Sequence, residues 1–93
     1  MTSIITGSDG FIGRKLIEKL SKSEIETLTL KRKDGDLSKI SLNNLIEDSI
    51  KIDRVFHLAA KTFVPHAWEK PEKFIQENIS STLNVLNYCR LRN

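Results

Sequence analysis

The sequence predicts an α/β fold: three parallel strands in the order 2-1-3, with helices flanking the sheet. Three observations predict it. Short apolar or β-branched runs alternate with stretches of helical periodicity. The first strand-to-helix junction is rich in glycine, Thr6-Gly7-Ser8-Asp9-Gly10-Phe11-Ile12-Gly13. The third apolar run ends directly in small residues, Ala59 and Ala60. Strand and helix in alternation give parallel βαβ units with right-handed crossovers. In such open sheets ligands sit beyond the carboxyl ends of the strands, where the connections diverge.

The elements follow in order. Ser3-Ile4-Ile5-Thr6 reads as the first strand, starting at Thr2 or Ser3. Phe11, Ile12, Leu16, Ile17 and Leu20 recur with helical period, so the first helix spans about Phe11 to Lys22, and Ser23-Glu24 closes it. Thr27-Leu28-Thr29-Leu30 alternates and is β-branched, which predicts the second strand. Lys31 to Gly35 is charged and ends in Asp34-Gly35, a turn signal. Ser41 to Glu47 reads as a short helix, with Ser41 as N-cap and Leu42, Leu45 and Ile46 on one face. Arg54-Val55-Phe56-His57-Leu58 is the expected third strand. Pro65 and Pro71 bracket a loop or a turn of helix around Trp68. The last helix is expected from about Glu72 to Arg92, with Phe74, Ile75, Ile79, Leu83, Val85 and Leu86 at helical spacing.

Composition sets outer bounds. A chain of 93 residues forms one domain at most and buries a modest core. The net charge of +3 is small and, apart from Lys31-Arg32-Lys33, spread along the chain, so no nucleic-acid surface is expected. Cys89 is the sole cysteine, which rules out an intramolecular disulfide and suggests a reducing, cytoplasmic setting. No run of about 18 apolar residues predicts a membrane span, and no basic-then-apolar leader opens the chain.

The glycine turn carries the chemistry. A strand-to-helix turn aims backbone N–H groups and the positive end of a helix at one spot, which favours a phosphate. Gly7 lets the chain turn sharply off the strand. Gly10, without a Cβ, lets a pyrophosphate lie against the backbone, and Gly13 lets the helix pack close to the sheet. The three-and-three glycine spacing differs from the general Gly-x-Gly-x-x-Gly. It resembles the short-chain dehydrogenase/reductase superfamily, and Thr-Gly-x-x-Gly-Phe-Ile-Gly resembles its extended branch, the NAD(P)-dependent epimerases and dehydratases of nucleotide sugars. The resemblance implies a partial Rossmann-like fold, with Gly7, Gly10, Phe11, Ile12 and Gly13 at the pyrophosphate.

Two further stretches extend it. After the second strand come Lys31, Arg32 and Lys33, with no acid before Asp34. An acid at this place suits the ribose hydroxyls of NAD, whereas a base suits the extra phosphate of NADP. The expected cofactor is therefore NAD(P), leaning to NADP, with Lys31 or Arg32 as the clamp. Gly35-Asp36-Leu37 resembles the family's step at the adenine, where Asp36 would meet the amino group and Leu37 the ring. No strand fits between Leu30 and Asp36, which resembles the shortened form in GDP-sugar reductases. Val55-Phe56-His57-Leu58-Ala59-Ala60-Lys61 resembles the family's His-Leu-Ala-Ala. Leu58, Ala59, Ala60 and Lys61 are the expected wall for the cofactor's ribose and nicotinamide end. His57 is read as a strand-end histidine packed between layers. Asn78 to Leu86 resembles the family's Asn-Val-x-Gly-Thr-x-Asn-Leu-Leu helix, with Ser81 in place of glycine. There the resemblance puts Asn78 beside the active site.

The superfamily's chemistry needs a Tyr-x-x-x-Lys pair. The single tyrosine, Tyr88, has Arg92 four residues on, and it is read as a surface or packing residue. The expectation is an amino-terminal cofactor-binding segment, with no catalytic residues of its own and no metal site, of a longer enzyme. That enzyme would act on a nucleotide-sugar substrate and self-associate as a homo-oligomer. Alternatives are a non-catalytic dinucleotide-binding module or sensor, and a structural α/β domain with a vacant turn.

Overall fold

The structure is a computed structural model that describes residues 2–60 and 68–92. Three strands, β1 (Thr2–Thr6), β2 (Glu26–Leu30) and β3 (Arg54–His57), and two helices, α1 (Phe11–Lys22) and α2 (Pro71–Arg92), make the frame. The sheet is parallel and ordered β2-β1-β3, as predicted. Thr6 pairs with Leu30 on one side and His57 on the other, so all three strands end at one edge.

α1 starts on Gly10 and ends by bonds from Glu24 N to the Ser21 carbonyl and from Ile25 N to the Leu20 carbonyl. This is the paired closure that requires a left-handed residue, and Glu24 supplies it at φ 58°. α1 packs on β1 and β2. α2 and the β2–β3 connection cover the other face. There Ile4, Leu30, Leu37, Leu42, Ile46, Val85 and Tyr88 form the main buried cluster. Ile5 alternates to the opposite face of β1 and is equally buried.

Two expectations are corrected. The run 41–47 makes only a 3-10 turn, Leu42–Asn44, rather than a helix. Ser41 does cap it, its Oγ accepting from Asn43 N at 3.3 Å. Leu42 and Ile46 are nonetheless buried, because burial of those side chains, not helix length, is what the core requires. The third strand stops at His57, one residue early, because the next two amides bond to a side chain instead of the ladder. The aliphatic spacing of α2 does not mark its packed face. Ile75, Ile79, Leu83 and Leu86 are each more than half exposed, while Ser81, Val85 and Tyr88 are buried. Tyr88 is thus a packing residue. Among the described residues no helix is long and apolar enough to cross a membrane.

Candidate cofactor site

The strand ends frame one open cleft of about 290 Å³, at the lower end of the range for ligand pockets. Among the described residues, four segments line it. The glycine turn gives Gly7, Asp9 and Gly10. The β2 exit gives Leu30, Lys31, Arg32 and then Gly35 to Ser38. The β3 exit gives Leu58, Ala59 and Ala60, and α2 gives Glu77, Asn78 and Ser81. The structure therefore brings most of the sequence-predicted residues together. Phe11 and Ile12 do not line the cleft. Their side chains point to solvent, 81% and 66% exposed, at the start of α1. Gly13 is buried behind the turn. Lys61 lies outside the described residues, as do Pro65 and His66.

The three glycines are needed for different reasons. Gly7 sits at φ 65°, and a Cβ there would lie 2.8 Å from both Ala59 N and Leu58 C. It lets the β1 exit touch the β3 exit. A Cβ on Gly13 would come within 2.4 Å of the Gly7 carbonyl oxygen. It lets α1 sit on the turn. Gly10 is different. Its backbone, φ −78° and ψ 173°, is open to any residue. A Cβ there would meet only the Gly7 carbonyl oxygen, at 3.4 Å, an ordinary contact. The fold makes no demand for glycine at this position, which faces the cleft. Gly10 also caps α1 without a side chain. The first helical bond runs from Arg14 N to the Gly10 carbonyl, so the amides of Phe11, Ile12 and Gly13 precede the ladder.

The β1 and β3 exits are joined by Thr6, which is fully buried. Its Oγ1 accepts from Leu58 N at 3.0 Å and Ala59 N at 3.1 Å. Both lone pairs are then used, so the hydroxyl proton goes to His57 Nδ1, 2.8 Å away. That geometry requires a neutral His57 with its proton on Nε2. Burial of the ring pushes its pKa below the usual 6.5, in the same direction. It also leaves the Ala59 amide committed to Thr6, so the cleft meets the other atoms of that residue.

A pH dependence follows. The unfolded histidine takes up a proton near pH 6.5, the folded one only at lower pH. The stabilisation is complete above 6.5 and is lost as pH falls through the folded value. Melting temperature is expected to fall between pH 7 and pH 5. His57→Gln should flatten that slope, and an equal slope in the variant would contradict the linkage.

At the β2 exit, Lys31, Arg32 and Lys33 are exposed. Arg32–Asp34 forms a 3-10 turn in which the Asp34 carboxylate accepts from Lys31 N at 2.8 Å. The one acid of this stretch is therefore turned back onto its own backbone. Asp36 Oδ1 accepts from Ser38 N at 3.0 Å and Ser38 Oγ at 2.7 Å, which shapes the next step of the wall. On α2, Ser81 Oγ donates to the Asn78 carbonyl at 3.0 Å, so the hydroxyl in place of the expected glycine is satisfied within the helix. Tyr88 lies away from the cleft wall, and burial raises its phenol pKa above the usual 10, against the opposing pull of Arg92. Among the described residues no cluster of metal-ligating side chains occurs.

Sequence reasoning missed Thr6 and Glu77. Thr6 could be found only from the register that pairs it with His57. Glu77 directly precedes Asn78 on a helix whose packed face the aliphatic spacing misplaces.

The order β2-β1-β3, the glycine turn at the central strand and the converging exits define a partial Rossmann-like α/β fold. The chain belongs to the NAD dependent epimerase/dehydratase family, whose profile matches residues 3–93. It is 32% identical over 90 residues to a GDP-6-deoxy-D-mannose reductase of Pseudomonas aeruginosa, across 95% of this chain and 29% of that protein. It is 32% identical over 112 residues to a dTDP-glucose 4,6-dehydratase of Salmonella typhimurium, across 97% and 31%. Over 60 residues it is 33% identical to UDP-glucuronate 4-epimerase 1 of Arabidopsis thaliana, across 64% and 14%. The chain thus spans less than a third of the length of these relatives.

Proposed function

We propose that this chain is the amino-terminal, cofactor-holding part of a longer enzyme that transfers hydride at a carbon of a nucleotide-linked sugar, with NADP(H) preferred over NAD(H). The observation that carries the reading is Gly10. Nothing in the fold needs a glycine there, yet it faces the cleft at a helix start with no side-chain cap, and a missing Cβ at that point makes room for a ligand. A pyrophosphate fits this cradle, held by the leading amides of α1. The names and family of the relatives support the sugar and the dinucleotide.

Each segment of the wall has its part. Gly7, Gly10, Phe11, Ile12 and Gly13 form the pyrophosphate cradle, the last four through backbone or packing. Asp36 and Leu37 take the adenine. Leu58, Ala59 and Ala60 lie along the ribose and nicotinamide end, with Asn78 opposite. When bound, the dinucleotide supplies the hydride acceptor or donor. The chain's own work is to bind, orient and exclude. The proton-transferring Tyr-x-x-x-Lys pair belongs to the part of the enzyme beyond Asn93. The exposed aliphatic row Ile75, Ile79, Leu83 and Leu86 supports the self-association expected of the whole protein.

Cofactor preference rests on Lys31 and Arg32. With Asp34 Oδ2 accepting from Lys31 N, the β2 exit presents the Lys31 and Arg32 cations to a 2′-phosphate. Titrations with NADPH and NADH at one ionic strength are expected to favour NADPH. Arg32→Ala should weaken NADPH by about tenfold, the size of one charge-assisted hydrogen bond, and leave NADH within about twofold. Equal affinities in the wild type would overturn the preference.

A further inference from the structure

The wall that carries Asp36, Leu37 and Ser38 belongs to the long connection between β2 and β3. Among the described residues that connection contains two 3-10 turns and no strand. Its backbone therefore has no ladder to hold its place at the cleft. Three side chains spaced four apart on α2 hold it instead. Arg92 bonds to the Ile50 carbonyl and, at 3.3 Å, to the Asp48 carboxylate, and lies 5.1 Å over the Tyr88 ring. Tyr88 is buried in the cluster with Leu37, Leu42 and Ile46. Asn84 Nδ2 donates to the Leu37 carbonyl at 2.6 Å.

These three anchors are not equivalent. Arg92 and Tyr88 act on the far end and the buried middle of the connection. Asn84 alone bonds to a residue that lines the cleft, and it does so at the backbone between Asp36 and Ser38. The Leu37 side chain is buried and the bond from Asn84 to its carbonyl is part-buried, so removing the amide takes away the side-chain tie that holds this peptide. The peptide is then free to shift, and the Asp36 and Leu37 side chains with it. Asn84 also fixes this wall to the same helix that brings Asn78 and Ser81 to the cleft.

We propose that Asn84 is a positioning residue for the adenine half of the bound dinucleotide. It acts through the Leu37 carbonyl and does not touch the ligand. The proposal rests on the dinucleotide reading above. It separates two halves of one ligand: the adenine end depends on Asn84, whereas the nicotinamide end, set by the Thr6 junction at the β3 exit, does not.

The test uses the whole protein and two half-ligands, ADP and nicotinamide mononucleotide. Asn84→Leu removes the donor at similar volume. It is expected to weaken ADP by about tenfold, the size of one lost part-buried hydrogen bond, while nicotinamide mononucleotide stays within about twofold. Asn84→Gln keeps a donor on a longer stem and should recover part of the ADP affinity, and it reads the same ratio should the leucine variant fail to fold. Arg92→Ala, which loosens the same connection elsewhere, should lower the melting temperature without changing the ratio. If Asn84→Leu lowers the melting temperature and leaves the ratio unchanged, the residue is a structural anchor only and the proposal is wrong. A wild type that binds neither half-ligand overturns the dinucleotide reading, and this proposal with it.

Discussion

Gly10→Val in the whole protein should abolish tight dinucleotide binding while leaving the fold in place. Gly10 has φ −78° and ψ 173°, which valine adopts without strain. Its Cβ would make one ordinary contact, 3.4 Å from the Gly7 carbonyl oxygen. Valine is a poorer N-cap than glycine by about 0.5–1 kcal/mol, so the melting temperature of the whole protein should fall by only about 2–4 °C. The side chain would, however, fill the space between the turn and the ligand. Overpacking of a close contact costs about 1–3 kcal/mol, and the affinity loss should approach a hundredfold. Gly10→Ala should fall between the two. Calorimetric titration with NADPH, paired with a thermal melt, measures both quantities. A variant that binds as well as the wild type would leave Gly10 without a function.

Gly7→Ala is expected to do the reverse, breaking the fold before binding can be asked about. The added methyl would sit 2.8 Å from two backbone atoms of the β3 exit, at a φ of 65° that L-residues rarely adopt. Neither backbone atom can swing aside as a side-chain tip could. Close overlap and the unfavourable dihedral together should cost about 3 kcal/mol or more, a large share of a small domain's stability. Denaturant melts should show the loss directly. A stable Gly7→Ala protein would mean that the β1 and β3 exits do not touch as described. The two substitutions divide one glycine motif into a position the fold needs and a position the ligand needs.

Local signals account for most of what the sequence made legible. The first helix runs from Phe11 to Lys22, as its periodicity and flanking turns predict. The parallel sheet follows from the alternation of strand and helix signals. What was not legible depends on partners far apart in sequence. The packed face of α2 is a mixed one, Asn78, Ser81, Val85 and Tyr88, because it meets a cleft at one end and the core at the other. The evenly spaced aliphatics Ile75, Ile79, Leu83 and Leu86 look outward. Periodicity detects an apolar stripe and does not say which neighbour will cover it. Thr6 ends an ordinary β-strand pattern, and its junction with His57, Leu58 and Ala59 exists only once β3 is placed beside β1. The run after Ser41 has the caps and apolar face of a helix, but too few residues follow its first turn to sustain one.

The most direct measurement is an amide NMR titration of the protein with NADP⁺, using the backbone resonances of the chain described here. Shifts are expected to be confined to the cleft wall: Gly7 to Gly13, Lys31 to Ser38, Leu58 to Ala60, and Glu77 to Ser81. The amides of Phe11 and Ile12 should move most, as donors to the pyrophosphate. Amides at the opposite edge, such as Asp53 and Arg54, should stay still. Shifts absent from the glycine turn at saturating NADP⁺, or centred on another surface, would contradict the claim that this cleft holds a dinucleotide.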